Sequence, residues 1–263
     1  MKPAPVRYER PETVDEAVAL LAEHGDEAKV LAGGQSLVPL LNMRLARPSV
    51  LVDVNRLPLG EVASENGPLR VGATVRQSDP RLLVHPLLAE AIPHVGHVVT
   101  RNRGTVCGSV AHADASAELP LALLLLGGSV HARSSRGERV VAAEDFFVTH
   151  FTTALEPDEL VVGTAWPPSP DGAGTAFCEL AYRRGDYAIC MAAAVVRGDE
   201  VRVGVASVVD RPTLLEVDPE RPGESTAAQV EPGDTLHASA EYRRHLVRVL
   251  VDRAVATARE RSA

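Results

Sequence analysis

Two glycine-containing stretches carry the residue types best suited to gripping an anionic ligand. The first is Ala32-Gly33-Gly34-Gln35-Ser36. Paired glycines permit positive φ and leave room for a ligand to approach the main chain. Successive backbone N–H groups can then form a nest for an anion such as a pyrophosphate. The stretch is neither GxGxxG nor a GK[ST] phosphate loop, so those nucleotide signatures are absent. A tight turn between strand and helix accounts for it just as well. The second stretch runs from Thr100 to Pro120 and reads TRNRGTVCGSVAHADASAELP. Gly104 and Gly108 allow sharp turns. Thr105, Ser109 and the exposed amides could bind phosphate oxygens. Asp114 and Glu118 could accept from ribose hydroxyls or ring nitrogens. A polar loop with a helix cap at Ser116 is the plainer reading. Two such stretches in one chain favour a ligand.

Other chemistry is poorly represented. Cys107, Cys178 and Cys190 are the three cysteines, and none lie in a CxxC. They cannot pair completely, and an iron–sulfur cluster needs four such ligands, so this chain builds none alone. His94 and His97 are spaced as HxxH, which could put two ligands on one helix face, with Cys107 or His112 completing a zinc site. A polar helix end near a loop is the reading adopted, and no metal is assigned. No Ser/His/Asp set assembles, and no residue is named as an acid or base.

The elements that must position these stretches can be read from periodicity. Thr13 and Glu16 form a capping box. Val14, Ala17, Val18 and Leu21 then fall on one helical face, with Gly25 as the stop. Lys29 to Leu31 reads as a strand entering the first glycine stretch. A helix follows from about Val38 to Leu45, and Val50 to Val54 reads as another strand. Residues 1–55 therefore form a β–α–β unit. Leu69 to Val75 suggests a strand, and Ser78 to Ala91 a helix interrupted at Pro86. A helical stretch follows the second glycine segment as far as Leu126. Val130 to Val141 reads as a hairpin turning at Ser135, Arg136 and Gly137. Leu160 to Ala165 is a further strand, and the Pro167–Gly172 run breaks the pattern. A boundary is placed there. Beyond it, Ala176 to Tyr182 and Val201 to Val209 suggest strands, and Ile189 to Val196 is apolar and ambiguous. Residues 210–235 read as loop, and Tyr242 to Arg259 as a final helix.

Composition narrows the function classes. The 263 residues are 45% hydrophobic and 24% charged, with net charge −8. That balance suits a globular protein and disfavours nucleic acid as a partner. No apolar run approaches the 18 residues of a membrane span. The segment MKPAPVRYERPE lacks the apolar stretch of a signal peptide, so a cytoplasmic location is expected.

The segment TRNRGTVCGSVAHADASAELP resembles the signature of the FAD-binding medium subunit of molybdenum hydroxylases, the xanthine dehydrogenase and carbon monoxide dehydrogenase relatives. AGGQSLVPLLNMRLARP is similar to that family's first FAD loop. Tyr182 to Ala188 (YRRGDYA) and Glu241 to Leu246 (EYRRHL) resemble two further family patterns. The resemblance implies an α+β fold. Two lobes of the vanillyl-alcohol-oxidase (PCMH) type, residues 1–55 and 56–168, would hold FAD between them. Residues 169–263 would form a C-terminal carbon-monoxide-dehydrogenase-flavoprotein-like α+β domain.

The resemblance also implies residue roles. Ala32, Gly33, Gly34, Gln35 and Ser36 would wrap the FAD pyrophosphate through main-chain amides, and a Gly34→Val change should abolish FAD retention. Thr105, Val106, Cys107, Gly108 and Ser109 would hold the diphosphate and flavin from the second lobe. Glu118 matches an acidic position that contacts FAD, and Asp114 lies in the matching AHAD stretch. Tyr187 would lie near the isoalloxazine ring, or serve as a core aromatic. Relatives usually carry two glycines where this chain has Cys107-Gly108, so a packed small residue or a thiol beside the flavin is expected there. Residues 210–235 look shorter than in relatives. By the same resemblance, the molybdenum cofactor and iron–sulfur clusters sit on a large and a small partner subunit of a hetero-oligomer. Their electrons would pass through this FAD to NAD+, a quinone, oxygen or another acceptor. The alternatives are a stand-alone flavin oxidase or dehydrogenase acting directly on a small molecule, and a flavin-free scaffold subunit.

Overall fold

The computed structural model describes residues 2–64 and 67–263. Its first unit comprises β1 (Arg7–Glu9), α1 (Val14–His24), β2 (Ala28–Leu31), α2 (Leu37–Asn42) and β3 (Val50–Asp53). Thr13 Oγ1 accepts from Glu16 N at 3.2 Å, while the Glu16 carboxylate reaches back to Glu12 N at 2.8 Å. Gly25, at φ 50°, ends α1. The three strands form a parallel sheet in the order β1-β3-β2. Parallel strands require crossover segments, which α1 and α2 supply. Ala17, Val18 and Leu21 of α1 bury against Val50, Val52 and Val54. Strand β1 is an element the apolar periodicity does not predict, because two of its three residues are exposed.

The second unit holds β4 (Val62–Ala63), β5 (Leu69–Gly72), α3 (Pro86–Ala91), α4 (Val98–Arg101), α5 (Val106–His112) and α6 (Glu118–Leu125). It continues with β6 (Ser129–Ser134), β7 (Gly137–Ala142), α7 (Ala143–Phe146), β8 (Phe147–Thr149), β9 (Thr152–Thr153) and β10 (Leu160–Trp166). An antiparallel sheet runs β4-β5-β10-β6-β7, with β8 and β9 paired separately. The β6–β7 hairpin turns at the expected residues, Gly137 taking φ 123°. Helix α5 lies inside the segment expected to be loop. Pro80–Val84 is a 3-10 turn, which separates from α3 at Pro86.

The last unit is a meander of β11 (Gly174–Ala181), β12 (Ala188–Arg197), β13 (Glu200–Ala206) and β14 (Thr213–Leu215). It is completed by α8 (Pro222–Ala227) and α9 (Ala240–Arg261). The expectation of loop over 210–235 is corrected here: β14 and α8 lie within it. Both are short, and neither is long enough to show a period. Strand β12 explains the ambiguous run. Cys190, Ala192, Ala194 and Val196 face α9, while Met191 and Ala193 enter the core around α6. With both faces buried, no polar alternation is left to read. Among the described residues, no helix is long and apolar enough to cross a membrane.

Helix α6 is the hub of the packing. Every one of its residues is buried, from Glu118 to Leu125. A helix apolar on all sides must be enclosed on all sides. It contacts α3, α5 and α7 of its own unit and β12, β13 and β14 of the next. A Cβ built on Gly204 would lie 2.8 Å from Leu121 Cδ1, so the β13 backbone rests directly on the helix. Leu123→Ala should therefore cost about 2–5 kcal/mol of folding stability. Urea unfolding of the two proteins side by side checks this.

Candidate functional site

The sequence places the two glycine stretches about seventy residues apart; the fold puts them in backbone contact. A Cβ on Gly33 would meet Arg103 O at 2.5 Å and Gly104 Cα at 2.6 Å. No side chain fits between these strands of main chain. Gly34 has a different job. It takes φ 72°, where a side chain is strained whatever the space around it. Ala32 completes the contact, its Cβ 3.9 Å from the Cβ position of Gly108.

A polar network that periodicity does not reveal holds this contact from behind. Asn55 Nδ2 donates to Ala32 O at 2.8 Å. Arg76 bridges the two stretches, giving Nη2 to Asn55 Oδ1 at 2.6 Å and Nη1 to Arg103 O. Asp53 anchors Asn55, accepting from its amide N at 2.9 Å, and also accepts from the Tyr8 hydroxyl. Burial opposes the Asp53 charge, but the hydrogen bonds from Tyr8 and Asn55 outweigh it and hold the carboxyl below its ordinary pKa. These four residues were missed. The one available signal was an acid and an amide closing an otherwise apolar strand, in Val50-Leu-Val-Asp-Val-Asn55.

The carbonyls of Ala32, Gly33, Gly34 and Ser36 are engaged, while the backbone donors from Gly33 to Ser36 are not. Among the described residues, the amides of Gly33, Gly34, Gln35 and Ser36 have no protein acceptor. Four adjacent free N–H groups beside a close-packed backbone suit an anion.

The second stretch is tied to the segment that follows β5. Gln77 N donates to Gly104 O at 2.9 Å and Val106 N to Val75 O at 3.1 Å. Thr105 caps α5, its Oγ1 accepting from Gly108 N at 3.1 Å. A Cβ on Gly108 would sit 2.5 Å from that hydroxyl. Val106 and Cys107 contribute backbone only, because both side chains are buried in the core. Cys107 Sγ lies 3.5 Å from Val71 O and 3.6 Å from Thr164 Oγ1. Burial pushes this thiol up to about 12, so it is protonated packing material. Ser109 is half-buried on the same helix.

Helix α5 ends at Ala113 in left-handed conformation, φ 50°. Asp114 follows, its Oδ1 accepting from Ser116 N at 2.8 Å. Ser116 is thus a partner of Asp114, and Ala117 takes the N-cap position of α6. Glu118 opens α6 and is buried, and burial pushes its carboxyl up to about 7. A second buried acid, Glu179 of β11, was not anticipated. Burial and then the Glu118 charge push it up to about 8. Its Oε1 lies 3.8 Å from His94 Nδ1, while its Oε2 is buried without a partner. Tyr187 is 70% exposed, so it is not a core aromatic, and it lies within electrostatic reach of Asp114 and Glu118. The HxxH pair is divided between neighbours. His94 meets Glu179 and Phe177, and the His97 ring supports the backbone of Gly185.

Over residues 4–169 the chain matches the family described as FAD binding domain in molybdopterin dehydrogenase. It is 39% identical to the 6-hydroxypseudooxynicotine dehydrogenase complex subunit alpha of Paenarthrobacter nicotinovorans, covering 100% of this chain and 97% of that protein. Among solved structures, carbon monoxide dehydrogenase from Hydrogenophaga pseudoflava gives a TM-score of 0.95 at 31% identity, with 100% of both chains covered. Quinoline 2-oxidoreductase from Pseudomonas putida 86 gives 0.93 at 34% identity, with 99% of both covered.

The buried acids set a pH dependence of stability. Below about pH 4.5, Glu179 carries its proton in both the folded and the unfolded chain. As pH rises towards about 8, the unfolded chain releases that proton and the folded chain keeps it, so stability falls across this window. Glu118 acts in the same direction up to about pH 7. Glu179→Gln should raise the melting temperature of the FAD-free protein by a few degrees at pH 8 and leave it unchanged at pH 4.5. Thermal melts across that range read the effect directly.

Proposed function

Because the chain belongs to the family of FAD-binding domains of molybdopterin dehydrogenases, we propose that it is the flavoprotein medium subunit of a molybdenum hydroxylase. It is a subunit of an FAD-dependent oxidoreductase. The observation that carries the proposal is the backbone contact between the two glycine stretches, with free amides on one side of it. That arrangement fits a dinucleotide pyrophosphate.

When bound, FAD supplies the redox chemistry, and the chain supplies binding and electrostatics. In this reading, residues 1–55 and 56–168 are the lobes that hold FAD, and residues 169–263 form the C-terminal domain. Ala32 to Ser36 present amides to the pyrophosphate. Thr105 to Ser109 grip the diphosphate and flavin from the facing lobe, with Val106 and Cys107 acting through their backbone. Asp114 and Glu118 accept hydrogen bonds from FAD. Tyr187, exposed and within electrostatic reach of both acids, covers the flavin ring.

Electrons reach this subunit from iron–sulfur clusters on a small subunit, after substrate oxidation at a molybdenum cofactor on a large one. They leave to NAD+, a quinone, oxygen or another acceptor. Two features support this division of labour. This chain's three cysteines are separate and free, and one relative is named as a subunit of a dehydrogenase complex. The packed Cys107 gives no support to a stand-alone flavoenzyme, and the free amides argue against a flavin-free scaffold. We place the complex in the cytoplasm.

Native purification tests the assembly: flavin absorbance together with a molybdenum subunit and an iron–sulfur subunit is expected. Flavin bands with no partner chain would replace the relay with a stand-alone oxidase or dehydrogenase. For the site itself, Gly33→Val should leave a folded chain with at least a tenfold loss of FAD affinity, about 1.4 kcal/mol. Cys107→Ala should retain FAD. Fluorescence titration of the FAD-free proteins measures both, and unchanged affinity in a folded Gly33→Val chain would sink the assignment.

A further inference from the structure

The EYRRHL segment of α9 lies outside both glycine stretches, yet one of its arginines is tied to the second. Arg243 is a buried cation. Among the described residues it pairs with no carboxylate. Its guanidinium instead collects backbone carbonyls. Nη1 donates to Gly233 O at 2.7 Å, Nη2 donates to Ser207 O, and Nε lies 3.5 Å from Ile189 O. Ser207 is held at φ 70°, a conformation that non-glycine residues adopt rarely. From there its N–H donates to Ala115 O at 2.7 Å.

The other side of Asp114 is gripped in the same manner. Phe151 N donates to Ala113 O at 2.9 Å. The strand before Phe151 is fixed by Arg211 Nη1 on Phe147 O at 2.8 Å and by Thr149 Oγ1 on Asp210 Oδ2 at 3.0 Å. The Ala115 carbonyl is therefore held by Ser207, and the Ala113 carbonyl by Phe151, in the turn that follows the strand gripped by Arg211 and Asp210. Arg243 fixes the start of the run 207–211.

We infer that Arg243 is a positioning residue for FAD binding: through Ser207 it sets the backbone of the Ala113–Glu118 segment. The inference rests on the reading that this segment contacts FAD. A buried charged donor holding a strained backbone is expensive to remove. A lysine keeps the charge but loses the planar fork that spans several carbonyls.

The test uses the full chain, freed of FAD and titrated with it. Arg243→Met should raise the FAD dissociation constant about tenfold or more and speed hydrogen exchange at the Ser207 amide. Arg243→Lys should recover part of the affinity. Arg244→Met is the control; Arg244 is exposed and bonds Val230 O instead, and FAD affinity should not change. A folded Arg243→Met chain with wild-type FAD affinity would overturn the inference. So would a lowered melting temperature without loss of affinity. If neither Arg243 variant folds, the residue is a stabiliser of the C-terminal unit and the inference also fails. Gly33→Val, measured in parallel, separates the levels. Its loss of FAD beside normal Arg243 variants rejects only the positioning role, whereas its retention of FAD rejects the site.

Discussion

The main chain at Gly33 lies so close to Arg103 and Gly104 that a single methyl group would separate the two glycine stretches. Much of the site's order follows from that approach. It is a contact between peptide groups, so it leaves side chains free for other work. Asn55 holds the Ala32 carbonyl on one stretch and Arg76 the Arg103 carbonyl on the other, and Asn55 and Arg76 are themselves joined. The amides of the first stretch are then left as a row of donors. An anion site made of backbone does not depend on a titrating cation and keeps its character across a wide pH range. In the proposed reading, affinity for FAD comes from geometry fixed at a distance by Tyr8, Asp53, Asn55 and Arg76.

Sequence patterns exposed some of this and hid the rest for identifiable reasons. The capping box at Thr13, the hairpin at Gly137 and helix α9 were legible because each depends on local spacing. The glycine stretches were legible because their composition is hard to explain otherwise. Their mutual contact was not, since it joins residues separated by a whole sheet crossover. Strand β12 was obscured by burial on both faces, which removes alternation. Cys107 stood out by type, but only packing shows its sulfur turned away from the glycine stretches. Glu179 looked like one more surface acid on a strand. Its importance comes from neighbours on α6 and near α4, which no local pattern links to it.

Charge is handled in two opposite ways within the one chain. Asp53 is buried but given enough donors to stay ionised, so it serves as an anchor. Glu118 and Glu179 are buried with too few, so they favour the neutral acid. The chain thus spends folding stability to keep two carboxyls out of water beside the segment proposed to bind FAD. Arg243 shows the same logic with the sign reversed, a cation solvated by carbonyls rather than by an acid.

The enclosed helix α6 has a consequence during synthesis. One side of it packs on elements made before or soon after it, but another side packs on β12, β13 and β14. The Leu121 side chain meets its neighbour Gly204 only after more than half of the remaining chain has been made. Until then, a helix with seven apolar residues out of eight has no cover on that side. The nascent chain therefore cannot bury α6 on every side until the strands of its last unit have been made. It passes through a stage with exposed apolar surface, the condition under which chaperones are recruited and aggregation competes with folding.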